Sequence, residues 1–180
     1  MKYLFLAILA MSFSCNSRNV KQNVNRVDDT DIEKYTLTEN DFENVKNFLN
    51  DNFKIQSKDT IIIKYEFNKE NCWDRLDAEG NTKIQYFIDL RQKEIQKFNL
   101  KHQNSIALHF KEEGDSFNKI ISLDKSIYID KGALLKKIIF REKNECGNTI
   151  ILLQNGTYYL RRSDPHFDII QVMNKSEKHD

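Results

Sequence analysis

Apolar side chains between residues 40 and 53 fall at Phe42, Val45, Phe48 and Leu49, which is helical spacing. Asn40 with Glu43 three positions on has the form of a helix N-terminus. TIIIKYEF (60–67) is β-branched and aromatic, with three successive isoleucines, and suits a strand buried on both faces. A loop, DAEGN, then leads into a long stripe at Ile84, Phe87, Ile88, Ile95 and Phe98, which predicts a helix over 82–98. SIALHF (105–110) reads as the next strand, SFNKIISLD (116–124) as a short helix and SIYID (126–130) as a short strand. GALLKKIIFRE (132–142) reads as a helix with Leu134, Leu135, Ile138 and Ile139 on one side. Two apolar runs in 149–162 flank Gln-Asn-Gly, a hairpin signal because Asn and Gly both accept positive φ. FDIIQVM, behind Pro165, predicts a short final helix.

The predicted order is a helix, then β-α-β-α-β-α, then a hairpin and a helix. Alternating strands and helices imply an α/β fold. Its central mixed sheet would be mostly parallel, with a C-terminal β-hairpin at one side and helices on its faces.

The N-terminus changes the picture of where this domain sits. Lys2 precedes an apolar stretch, Leu4 to Phe13, too short to span a bilayer, and the stretch ends in Ser-Phe-Ser-Cys. A small residue before cysteine resembles the lipobox of bacterial lipoproteins, with Ser12 where leucine is common. Residues 1–14 are then a signal peptide and Cys15 is the lipidated first residue of the mature chain. An ordinary secretory signal is the competing reading. Residues 15–38 are polar and read as a flexible tether, 39–175 as the domain and 176–180 as a polar tail. Lipid on Cys15 implies anchoring in a bacterial cell envelope, facing the periplasm or the outside. Without Lys2 the chain carries 27 basic and 27 acidic residues, a balance that argues against nucleic acid as a partner. With Cys15 spent on lipid, two cysteines remain in an oxidising compartment, Cys72 and Cys146.

The element order resembles the thioredoxin-like fold. The helix and strand around 116–130 are similar to the insertion in thioredoxin-like extracytoplasmic thiol reductases and peroxiredoxins. Two stretches carry the resemblance most specifically: the strand followed by Cys72-Trp73, and CGNTIILLQNG (146–156), similar to that family's G-x-P-T-x-x-L-x-x-x-G. Arg75 stands where the family has its second cysteine, and Asn148 where it has a cis-proline; Pro165 lies beyond the hairpin and cannot replace it. The resemblance places Cys72 at the C-terminal end of its strand and Cys146 in the loop facing it, 74 residues away in sequence.

Three readings of the cysteines stand side by side: a half-buried Cys72 without chemistry, a structural or slow-redox Cys72–Cys146 disulfide, and a catalytic pair. In the last, the Cys72 thiolate attacks and Cys146 resolves. A helix N-terminus and Arg75 would favour that thiolate, while Asp74, Asp77 and Glu79 would oppose it. Trp73 would shield the thiol, contact a partner or simply pack. The histidines show no metal spacing and read as packing or solvated groups, and RRSDPH (161–166) reads as a solvated turn in which Asp164 caps the last helix, with an anion or partner contact as the competing reading. No cofactor motif is present. The expected function is a divergent thiol–disulfide module with a protein substrate, or a non-catalytic interaction domain on the same fold.

Overall fold

The computed structural model describes residues 32–170 except 54, 56, 57, 71, 73, 145 and 165. The segments expected to be a signal peptide and a polar tail, with Cys15, Trp73 and Pro165, lie outside the described residues. The strands are β1 (Ile32–Thr36), β2 (Thr60–Glu66), β3 (Ser105–Lys111), β4 (Tyr128–Ile129), β5 (Asn148–Leu153) and β6 (Thr157–Arg162). The helices are α1 (Glu39–Phe53), α2 (Asp74–Asp77), α3 (Asn81–Lys101), α4 (Lys119–Leu123) and α5 (Leu134–Ile138).

All six strands form one sheet in the order β1-β6-β5-β2-β3-β4. The α/β class and the flanking helices agree with the sequence pattern; the expected mostly parallel sheet does not. Only β2–β3 and β3–β4 are parallel, whereas β2–β5, β5–β6 and β1–β6 are antiparallel. The reason is connectivity. Helical crossovers make β2, β3 and β4 run together, but the hairpin enters on the other side of β2 and brings its own antiparallel pairs. The expected tether over 15–38 also ends too late. Ile32–Thr36 pairs residue for residue with Thr157–Arg161 and forms the sheet edge.

Local chemistry sets the element ends. Thr38, not Asn40, caps α1: its Oγ1 accepts from the Asp41 N–H at 3.1 Å, and its carbonyl accepts from Phe42. The hairpin turns over Gln154, Asn155 and Gly156. The Gly156 N–H reaches the Leu153 carbonyl, and Gly156 alone of the three takes positive φ, +77°. The helix expected over 132–142 is shortened to Leu134–Ile138. Positive φ at Gly132 and Ala133 turns the chain into it, and buried Asp130 accepts from the Leu135 and Lys136 N–H groups and the Tyr65 hydroxyl. Along β3, the Asn99 amide pairs with both the N–H and the carbonyl of Ala107, which blocks strand addition at that point.

The two faces of the sheet are built differently. On one, α1 and α5 cover a continuous apolar cluster that includes Val45, Leu49, Ile63, Tyr65, Phe110, Ile150 and Leu160. On the other, α3 covers two separate clusters. Ile84 and Ile88 pack with Ile120, Ile121 and Ile127, while Phe98 packs with Ile62, Ala107, Phe167 and Ile169. The α3 stripe runs 84, 88, 91, 95, 98, and its middle member is Arg91. Between the two apolar clusters the α3 face is charged.

Candidate functional site

Strand register explains how this charge assembles. Arg161 pairs with Thr149, Thr149 with Lys64 and Lys64 with His109, so one polar row crosses four adjacent strands on the α3 face. Glu66, two residues beyond Lys64, points to the same face. Lys64, Glu66, His109, Thr149 and Asp164 are all buried. The Lys64 Nζ lies 3.3 Å from Glu66 Oε1 and also donates to the Asp164 carbonyl. His109 Nε2 is 2.9 Å from the same Glu66 oxygen. Arg161 lies 3.6 Å from Asp164 and 3.8 Å from Asp168, and Asp164 Oδ1 accepts from the Asp168 N–H at 2.7 Å.

Protonation follows from these partners. Burial alone would raise the Glu66 carboxyl, but Lys64, the His109 hydrogen bond and Arg91 together hold it well below the usual carboxylate range. Burial pushes His109 down to about 4 in spite of Glu66. A neutral imidazole beside a carboxylate must donate from Nε2, so its Nδ1 is an acceptor, and that atom is buried without a hydrogen-bond partner. The Lys64–Glu66 pair is therefore ionic, while His109 contributes a hydrogen bond and no charge.

This charged layer runs up to the cysteines. Cys72 and Cys146 form a disulfide with Cα atoms 4.9 Å apart. Cys72 is buried at 3% exposure, whereas Cys146 is partly exposed. The Cys72 carbonyl accepts from the buried Asn118 amide at 3.1 Å, which ties the loop after β2 to the start of α4. Gly147 follows Cys146 with φ +65°, and a Cβ there would lie 2.7 Å from both Glu66 Oε2 and the Tyr65 carbonyl. Only glycine lets the Cys146 loop approach β2 this closely. Gly147→Ala combines left-handed strain with a collision against backbone, and should cost at least about 2 kcal/mol in a denaturant titration.

Glu70 joins the layer to the disulfide. Its carboxyl accepts from the Phe67 N–H at 2.6 Å and lies close enough to the Gly147 N–H to feel its dipole. Burial, with the neighbouring Glu66 charge, pushes it up to about 8, above its ordinary 4.5, so near neutrality it holds a proton. The native chain then binds a proton that the unfolded chain has released, and stability falls as pH rises from 4.5 to 8. Glu70→Gln removes that loss. The variant's melting temperature should rise relative to the parent between pH 5 and pH 8.5, and a gap independent of pH would contradict the shift.

Of the residues singled out from sequence, Cys72, Cys146 and Asn148 come together. Asn148 opens β5 two residues after Cys146. Arg75 falls in α2, a single turn, so the helix dipole expected at Cys72 has four residues behind it. His102 packs its ring 4.4 Å from that of Phe98, and His109 is in the charged layer. RRSDPH is a solvated turn only in part, with Ser163 and His166 exposed. Asp164 does cap the final turn, but from full burial, beside Arg161. Sequence reading passed over Lys64, Glu66, Glu70 and Arg91. The signal was present: charged residues inside a strand buried on both faces, and an arginine in the middle of an apolar helix stripe. Among the described residues no helix is long and apolar enough to cross a membrane. The chain matches no protein-family model, no curated protein and no solved structure.

Proposed function

We propose that this chain is a lipid-anchored extracytoplasmic thiol–disulfide exchange module on a thioredoxin-like domain. The observation that carries the reading is the asymmetry of the Cys72–Cys146 bond. One cysteine is buried, the other is partly exposed, and a proton-holding carboxyl, that of Glu70, lies near the residue after the exposed one. The parallel β2–β3 pair joined through α3, with a hairpin added antiparallel at β2, suits the thioredoxin-like reading.

The exposures reverse the division of labour expected from sequence. A substrate thiolate reaches Cys146 Sγ, the Cys72–Cys146 bond breaks, and Cys72 leaves as a thiolate that takes its proton from Glu70. A second substrate thiol, losing its proton to solvent, attacks its own sulfur in the mixed disulfide and releases Cys146, which is protonated from solvent. The substrate dithiol is oxidised by two electrons, the protein disulfide is reduced, and Glu70 recovers its proton from solvent. Equilibration with glutathione and alkylation of the thiols tests this. A potential between about −120 and −270 mV, with Cys146 the faster-alkylated thiol, is expected.

The burial of Cys72 supports a second reading, a structural staple in a non-catalytic interaction domain. A potential below about −300 mV selects it and ends the exchange proposal. The lipid anchor is tested separately. Cys15→Ala should move the protein from the membrane fraction to the soluble one.

A further inference from the structure

The S–S bond is not alone in joining the two loops that carry the cysteines. Three residues before Cys146, the Lys143 ammonium donates to the Asn68 carbonyl at 2.8 Å and also to the Lys69 carbonyl. Lys69 stands three residues before Cys72, so ammonium and disulfide bridge the same two loops over the same separation of 74 residues. Successive carbonyls of an extended chain point opposite ways. Lys69, at φ +60°, breaks that alternation, and both carbonyls reach one ammonium.

The two loops are held unequally. The Cys72 side is fixed to the chain before α4 without help from sulfur. The Lys69 N–H donates to the Ser116 carbonyl at 2.7 Å, the Ser116 N–H to Asn68 Oδ1 at 3.0 Å and the Asn68 N–H to Glu112 Oε2 at 3.0 Å. A Cβ on Gly114 would collide with the Asn68 side-chain amide, so these two segments are in close contact. The Cys146 side belongs to the irregular segment between α5 and β5. There Glu142 meets Arg162 of β6 at 2.9 Å, while Lys143 reaches the Cys72 loop.

We propose that Lys143 is a positioning residue for the thiol pair. It keeps Cys72 beside Cys146 after their bond opens, and so confines net oxidation to substrates that carry two thiols. Only that substrate class rests on the exchange reading; the clamp itself does not. In the mixed disulfide the substrate sulfur is bonded to Cys146 Sγ, and Cys72 holds the proton it took from Glu70. Returning that proton to Glu70, the Cys72 thiolate attacks Cys146 Sγ, remakes the protein bond and expels the substrate as the thiolate it was on arrival. Nothing is then oxidised. A second free thiol has to outrun this return, and a group held in place reacts as if it were far more concentrated than a free one. A substrate whose own second thiol is already adjacent competes on equal terms. It attacks its own sulfur in the mixed disulfide, departs oxidised by two electrons, and leaves Cys72 and Cys146 reduced.

Lys143 is exposed, so its variants should fold. Lys143→Met removes the donors at similar length, and Lys143→Arg keeps a cation with donors for both carbonyls. The full chains are equilibrated with glutathione and quenched in acid, and the disulfide, dithiol and Cys146–glutathione forms are counted by mass. Lys143→Met should lower the effective concentration of Cys72 at Cys146 about ten-fold, a potential about 30 mV less negative, and raise the mixed-disulfide fraction. Lys143→Arg should restore both. In Lys143→Met the ratio of reduction rates, dithiothreitol to glutathione, should fall about three-fold or more, because only the monothiol has to outrun the return. An unmoved glutathione equilibrium, failure of Lys143→Arg to restore it, or an unchanged rate ratio would overturn the inference. So would melting temperatures that fall equally in oxidised and reduced chains with no change in the equilibrium, the mark of a purely structural lysine. The parent's own potential decides the proposed function separately. A value in the range of a structural staple ends exchange, while the difference between parent and Lys143→Met keeps or removes the clamp on its own.

Discussion

Reducing Cys72–Cys146 in the folded chain is expected to destabilise it by about 4 kcal/mol, because the bond closes a loop whose ends are 74 residues apart. That loop contains α2, α3, β3, α4, β4 and α5, so the bond ties the end of β2 to the start of β5 across most of the domain. The cross-link restricts the unfolded chain more than the folded one, where the parallel and antiparallel partners of β2 already hold both cysteines in place. For a domain of this size the loss corresponds to a fall of roughly 10–15 °C in melting temperature. The check is a pair of melts, with and without reductant, beside the Cys72→Ala/Cys146→Ala double variant. Reductant should bring the parent to the level of the variant and leave the variant unmoved. A shift below about 1 kcal/mol would mean that the bond does not restrict the unfolded chain as loop closure requires.

The fold was legible wherever periodicity alone decides it. The isoleucines of β2, the Ile84–Phe98 stripe of α3 and the Gln-Asn-Gly turn each lie where the pattern put them. What was not legible depends on which strand lies beside which. Ile32–Thr36 is short and polar, and nothing in it announces a strand until Thr157–Arg161 is placed beside it. The polar row is the same case. Arg161, Thr149, Lys64 and His109 come from four strands, and only the register makes them neighbours. Composition did carry a trace of it. Lys64 and Glu66 within an otherwise apolar buried strand, and Arg91 at an inward position of α3, each imply a partner of opposite charge. Glu70 left no such trace, since its position depends on the backbone N–H of Phe67. The cysteines were legible as a pair, but their unequal burial was not.

Glu66→Ala is expected to cost about 3–5 kcal/mol at neutral pH, because it leaves the buried Lys64 ammonium with only the Asp164 carbonyl to balance it. Lys64→Met should cost a similar amount for the converse reason, and its cost should depend on pH. In the parent, the depressed Glu66 carboxyl contributes stability that is present above pH 4.5 and lost as pH falls through the folded value. Without Lys64, burial dominates and Glu66 keeps its proton in the folded chain, so that variant loses stability as pH rises instead. The two curves converge in acid and separate toward neutrality, and denaturant titrations at pH 4 and pH 7 measure the difference. His109 adds to the acid sensitivity of both chains. Its folded value near 4 means that stability is lost as pH falls from 6.5 toward 4. Lys64→Met/Glu66→Leu removes both charges at once and should recover most of the single-variant loss. It should not recover all of it, because the His109 Nε2–H and the Asp164 carbonyl each lose a partner. A double variant as unstable as the sum of the singles would show that Lys64 and Glu66 do not act as a pair. Full recovery in the double, with any disulfide exchange unchanged, would show that the charged layer serves neither stability nor the proposed thiol chemistry. Partial recovery with slowed exchange would tie the layer to Glu70, whose raised value depends on the Glu66 charge.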